Sequence, residues 1–151
     1  MTPTLEFAVQ RLRDLLVPVS GTPVSLDALA FGCTLAKKSK GKLYAVYVIQ
    51  VARAMALDAE LAPEAREAER VLVEAERIGN EMDCDVEGEI LQARDAGHAI
   101  VDEAIEREVS AIVLGVAYEA PLGEFELGET AKYVIEHAPC QVILLRAAVQ
   151  E

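Results

Sequence analysis

The stretch IVLGVAYEAPLGEFELGETA, Ile112 to Ala131, decides how the rest of the chain is read. It opens as an apolar run of branched residues. It passes into a loop punctuated by Gly115, Gly123 and Gly128, and then enters a helical pattern. Strand, glycine loop and helix follow one another in phosphate cradles, because the first N–H groups of a helix lack partners and attract an anion. Yet the same stretch holds Glu119, Glu124, Glu126 and Glu129, and neither Lys nor Arg. The backbone pattern invites an anion and the side chains repel one.

Four further apolar runs accompany Ala111–Leu114: Leu15–Val19, Leu43–Ile49, Val86–Leu91 and Val142–Leu145. Runs apolar on both faces suit a parallel sheet covered by helices on each side. The third alternates, with Glu87 and Glu89 on one face. Helical stripes separate the strands. Leu26, Leu29, Ala30, Cys33 and Ala36 form the first, with Thr22 as cap, Pro23 as first residue and Gly41 after the end. Leu61, Ala65, Ala68, Leu72 and Ala75 form the second, opposite a solvated face of Glu67, Arg70, Glu74 and Arg77. Ile100, Val101, Ala104 and Ile105 mark a third; Ala131, Val134 and Ala138 mark a fourth, stopped by Pro139. Strands alternating with helices predict one α/β domain across residues 1–151, with its core at about 14–146. The longest irregular connection, Gln50–Leu61, reads as a mobile flap or as an early start to the second helix.

Hydrophobic residues make up 52% of the 151, enough for a real core, and aromatics only 5%. The net charge of −12 disfavours nucleic acid and anionic membranes as partners. No run reaches the roughly 20 apolar residues of a membrane span. The opening MTPTLEFAVQRLRD lacks the continuous apolar core of a signal peptide. Cys33, Cys84 and Cys140 are scattered without a CxxC, which reads as reduced thiols in a cytoplasmic protein.

Neither GxGxxG nor a P-loop ending in GK[ST] occurs, and no nucleophile elbow is visible. His98 and His137 lack Cys or carboxylate neighbours at metal-site spacing, so no metal site is expected from them. Glu124, Glu126 and Glu129 read as solubilising residues sooner than as a metal site. Cys140, after Pro139, reads as core.

The segments LLVPVSGTPVSLDALAFGCTLA, AVYVI, DAGHAIVDEAIEREVSAIVLG and ETAKYVIEHAPCQVILLR together resemble the universal stress protein family, over about Asp14 to Arg146. The resemblance implies a five-stranded parallel sheet in the order 3-2-1-4-5 with helices on both faces. This is a Rossmann-like fold of the adenine nucleotide alpha hydrolase type. It also implies a cytoplasmic, usually dimeric protein, in many members an ATP binder. The nucleotide-binding branch carries Gly-x2-Gly-x9-Gly-Ser/Thr. Its first Gly matches Gly115 and its third matches Gly128. The second falls on Tyr118, and the Ser or Thr falls on Glu129, with Thr130 adjacent. The acidic residue that ends the first strand in the family falls on Ser20. By the same resemblance Pro18, Val19 and Val48 belong to the pocket.

A helix N-terminus offers an anion about 0.3–1 kcal/mol. A carboxylate about 4 Å from a phosphate charge costs about 1 kcal/mol in water and about 4 kcal/mol at an effective dielectric of 20. Glu129 is therefore expected to outweigh the dipole, and Glu129→Ser to raise ATP affinity about tenfold. The expected function is a non-catalytic regulatory or interaction domain with a degraded ATP pocket and no cofactor. The alternative is an adenine-nucleotide switch or slow ATPase that binds ATP or AMP with Mg²⁺ or Mn²⁺. Expected partners are a second copy, joined through the fifth strand at Val142, Ile143, Leu144 and Leu145, and a protein such as a transporter or signalling component. An uncharged edge strand is an aggregation hazard unless something covers it.

Overall fold

The apolar runs form five parallel strands: β1 (Leu15–Pro18), β2 (Leu43–Gln50), β3 (Val86–Ala93), β4 (Ala111–Val116) and β5 (Gln141–Arg146). They lie in one sheet in the order β3-β2-β1-β4-β5, as the resemblance implies. Leu15 sits between Leu43 and Ala111, which places the three starts level. The computed structural model describes residues 11–149, so most of the amino-terminal stretch considered above lies outside it. Four helices connect the strands: α1 (Pro23–Ser39), α2 (Ala62–Glu81), α3 (Ala96–Glu106) and α4 (Glu129–His137).

The period of two along each strand sorts side chains between two cores. Leu15, Val17, Leu43, Ala45, Ala111 and Val113 face α1 and α2. Leu16, Val46, Ile112 and Leu114 face α3 and α4. Leu15, Leu16, Val17, Ile112 and Val113 are wholly buried. Each such side chain contributes about 1.5–3 kcal/mol. β1 and β4 are therefore the fixed centre from which the loops at the carboxyl ends project.

Two stripes differ from their reading. On α1, Ala28, Gly32 and Leu35 are buried while Leu26 and Ala30 are half-exposed. Almost every position of this helix is apolar or small, so the stripe is set by size. A Cβ on Gly32 would stand 3.0 Å from Leu43 and 3.1 Å from Val17, so this turn lies directly on the sheet. On α3, Ile105 is 54% exposed and the buried stripe is Gly97, Ile100, Val101 and Ala104. Thr22 holds the cap position of α1 without a side-chain bond to the helix and Pro23 opens it, while Lys40 takes the left-handed position after it (φ 56°). Gly41 is needed for space, because a Cβ there would fall on the Arg13 carbonyl.

The connection after β2 is irregular until α2 begins at Ala62, and it is pinned. Gln92 Nε2 donates to the carbonyls of Leu57 (2.9 Å) and Ala59 (3.1 Å). Arg94 Nη1 donates to those of Ala52 (2.5 Å) and Val51 (3.3 Å). It is not an early start to α2. The charged face of α2 is as read: Arg70 pairs with Glu67, and Arg77 with Glu74 and Glu81. At the β3 edge, Glu87 meets Lys42, while Glu89 and the buried Glu103 share Arg107, whose guanidinium lies over Tyr44.

Candidate functional site

β4 ends at Val116, and the chain must turn back to start α4 at Glu129. Pro121 and Gly123 (φ 86°) shape the tip, where Gly123 N–H donates to the Ala120 carbonyl at 3.1 Å. Glu126 N–H donates to the Glu119 carbonyl at 2.9 Å. The Tyr118 and Phe125 rings stack at 5.6 Å, and the Arg146 guanidinium covers both at 4.9 and 5.6 Å. The loop is thus stapled to itself and to the end of β5. Between it and the start of α4 lies a cleft of about 240 Å³.

Gly115, Gly128, Glu129 and Thr130 all line that cleft. The two glycines are there for different reasons. A Cβ on Gly115 would stand 2.5 Å from the Val24 carbonyl oxygen, so the glycine lets the first turn of α1 sit against the end of β4. Gly128 has φ −67°, and a Cβ there would meet nothing within 4 Å. Among the described residues nothing requires a glycine at 128, and its bareness leaves the mouth of α4 open. No side chain caps α4, so its first N–H groups stay available to a ligand. The frame of an anion site is present.

Its charge is contrary. Glu119, Glu126 and Glu129 line the cleft, and no Lys or Arg is among the lining residues. The Glu129 side chain does not fold back onto the N–H groups of α4. It is 96% exposed and lies 3.9 Å from Lys132 Nζ.

None of the other residues assigned by resemblance is among those that line this cleft. Tyr118 turns away from it to line a neighbouring hollow of about 340 Å³ with Thr22, Pro23 and Val24. Its bulk is absorbed by Phe125 and Arg146. Pro18 closes β1 opposite Val46, and Val19 is 5% exposed with its N–H on the Val46 carbonyl (2.9 Å). Ser20 belongs to the turn into α1: its hydroxyl meets that of Thr22 at 2.9 Å, and its N–H donates to Ser25 Oγ at 3.0 Å. The Ser25 hydroxyl is shared between the carbonyls of Ser20 (2.9 Å) and Thr22 (2.8 Å). Val48 is half-buried beside the start of α2, in a separate hollow. Phe125, which lines the cleft, and Arg146, which covers Phe125 and Tyr118, are not among the residues named from sequence. Arg146 reaches them because β5 pairs in register with β4, which sets it opposite Val116.

His98 and His137 also gain a setting the spacing concealed, for both stack on Tyr133, at 4.0 and 4.1 Å. His98 Nδ1 lies 2.7 Å from Asp95, whose carboxylate caps α3 by accepting from the His98 N–H. The His98 hydrogen bonds hold the Asp95 carboxyl below its ordinary range. Among the described residues no three His, Cys, Asp or Glu converge as a metal site requires, and no helix is long and apolar enough to cross a membrane.

β5 is an edge strand, as the resemblance implies. Leu144 is 39% exposed, and Val142, Ile143 and Leu145 are half-buried.

Comparison with known proteins places these features. The sequence pattern of the universal stress protein family matches residues 11–146. Universal stress protein MJ0531 of Methanocaldococcus jannaschii is 27% identical over 145 residues, covering 92% of this chain and 85% of that one. A universal stress protein from Archaeoglobus fulgidus superposes with a TM-score of 0.76 at 24% identity, over 87% of this chain and 97% of its own. A universal stress protein from the same organism in complex with dAMP superposes with a TM-score of 0.72 at 22% identity, over 87% and 96%. With the family pattern spanning all five strands and the sheet in its strand order, the chain belongs to the universal stress protein family.

Proposed function

We propose that the protein is a non-catalytic regulatory domain of the cytoplasm, dimeric through β5, whose cleft disfavours nucleoside triphosphates. One observation carries this reading: three glutamates and no cation line the cleft at the mouth of α4. ATP brings more charge to that mouth than a monophosphate does. Each close phosphate–carboxylate pair costs about 1 kcal/mol even in water, as much as the helix N-terminus returns.

A second reading has its own support. α4 is uncapped, Gly128 stands in open space, and the fold is shared with a protein solved with dAMP. An adenine-nucleotide switch, taking AMP or metal-bridged ATP, would use those features. Calorimetric titration with AMP and with ATP, each with and without Mg²⁺, separates the two. The first reading expects no ATP binding in the micromolar range without metal. Micromolar ATP binding without metal, or hydrolysis above the spontaneous rate, would replace it with the second. Metal-dependent binding of ATP would place the bridging cation beside the cleft glutamates.

A further inference from the structure

We propose that Arg146 is a releasable latch on the loop after β4, and that a phosphate group at the cleft opens the loop by drawing the guanidinium off its two rings. The loop from Ala117 to Gly128 holds no helix or strand and narrows to a neck. The neck is one backbone bond, from Glu126 N–H to the Glu119 carbonyl at 2.9 Å, and one ring pair, Tyr118 on Phe125. Beyond it Leu122, at the tip, is 86% exposed. On the side of α4, Leu127 packs against the core that α3 and α4 share with the sheet. The Arg146 guanidinium ties the neck to β5. It lies 4.9 Å from the Tyr118 ring and 5.6 Å from the Phe125 ring, inside the about 6 Å reach of a cation–π contact.

The backbone of Arg146 is fixed and its side chain is not. Arg146 stands in register with Val116, and the next N–H, of Ala147, donates to the Val116 carbonyl at 2.8 Å. The side chain is exposed. Among the described residues it pairs with no carboxylate, although Glu119, Glu124 and Glu126 belong to the loop it covers. Arg107 shows the contrast. It too lies over a ring, that of Tyr44, but Glu89 and Glu103 both hold its guanidinium. Arg146 is held by rings alone.

An exposed cation–ring contact is weak, whereas a guanidinium grips a phosphate through paired, charge-assisted hydrogen bonds. The cleft brings the two within reach of each other. Val116, opposite Arg146, and Phe125, under its guanidinium, both line the cleft. Its own lining offers a phosphate only glutamates as charged side chains, so Arg146 is the cation the lining lacks. Once the guanidinium turns to an anion, Phe125 keeps only Tyr118, and the neck loses its tie to β5. The wall that Phe125 forms can then swing out. Ligand charge is thereby converted into a change of shape beside the exposed edge strand, where a partner can read it.

The test is amide hydrogen exchange of the full chain, read by mass spectrometry over residues 117–128. Arg146→Ala should speed exchange there about two- to fivefold, the factor one exposed cation–ring contact is worth, and leave the sheet unchanged. Arg146→Lys, which keeps the charge but not the flat guanidinium, should fall between the two. Inorganic phosphate and AMP, each against chloride at equal ionic strength, should move the native loop toward the Arg146→Ala rate and leave that variant where it is. AMP acting at lower concentration assigns the phosphate to a nucleotide; equal action assigns it to the free ion. If Arg146→Ala fails to fold, Arg146→Lys and the native chain with phosphate carry the test. The comparison of variants needs no nucleotide, so it stands or fails separately from the two readings above. A loop that exchanges alike in native chain and variants would overturn the latch. A native loop indifferent to both phosphate and AMP, or an Arg146→Ala loop that responds as the native one does, would overturn its release by an anion.

Discussion

The two glycines that line the cleft can be told apart by the same substitution. In Gly115→Ala the new methyl group meets the Val24 carbonyl oxygen at 2.5 Å and its carbon at 2.9 Å. Both are backbone atoms, so no side chain can swing aside; the first turn of α1 has to lift from β4. Overpacking of this kind costs about 1–3 kcal/mol. Against it, alanine restricts the unfolded chain and returns about 0.4–1 kcal/mol. A net loss of about 1–2 kcal/mol follows, roughly a 5–30-fold shift in the folding equilibrium. Gly128→Ala meets nothing within 4 Å and has φ −67°, which alanine accepts. Its entropic gain is offset by about 0.5–1 kcal/mol, because alanine is a poorer helix cap than glycine. Its stability should therefore change by less than about 0.5 kcal/mol. Urea unfolding followed by far-ultraviolet circular dichroism measures both, since the chain has no Trp to report by fluorescence. A Gly115→Ala variant as stable as the native chain would refute the packing argument. A loss above about 1 kcal/mol in Gly128→Ala would show that the open mouth of α4 is part of the fold and is not space left for a ligand.

Three other outcomes follow from the same geometry. With Glu129 96% exposed and beside Lys132, Glu129→Gln should raise ATP affinity by no more than about fivefold, and calorimetry in high salt should erase the gain. Leu144→Lys places a charge on the exposed edge strand and should turn a dimer into a monomer in sedimentation at micromolar concentration; a native chain that is already monomeric removes β5 as the contact. Asp95→Ala removes the cap of α3 and should cost about 1 kcal/mol at neutral pH. The folded Asp95 carboxyl lies below its ordinary value of 3.8, so its contribution is present above that pH and is lost as pH falls below it. Native and variant unfolding midpoints should converge in that acid window.

The sheet was legible because its signal is redundant. β1 and β4 are apolar on both faces, and each is followed by a helical stripe that has nowhere to pack except the sheet. The strand order came with the family resemblance, which spans the same strands; the register did not. The misjudged stripes on α1 and α3 have a common cause. Where a helix carries Ala and Gly beside Leu and Ile, close approach selects the small residues and turns larger ones outward. That leaves Ile105 exposed and seats Gly32 on β2. Pairings such as Arg146 over Tyr118 and His98 on Tyr133 join residues from different elements, and spacing within one element cannot reveal them.

The site shows where counting charges along a sequence goes astray. Four glutamates in a glycine loop read as a block on anion binding, but the force of each depends on where its side chain ends. Glu129, read as the decisive one, points into water, where about 1 kcal/mol per close pair is the proper scale and not about 4. The unbonded N–H groups of α4 are fixed by the backbone and do not weaken in that way. A single phosphate group at the mouth of α4 therefore faces a near balance, and each added phosphate tips it toward rejection. This makes the ratio of AMP to ATP affinity, measured across ionic strength, the quantity that reports on the cleft. If its glutamates set the preference, the ratio falls toward unity as salt screens them. If the shape of the cleft sets it, the ratio stays where it is.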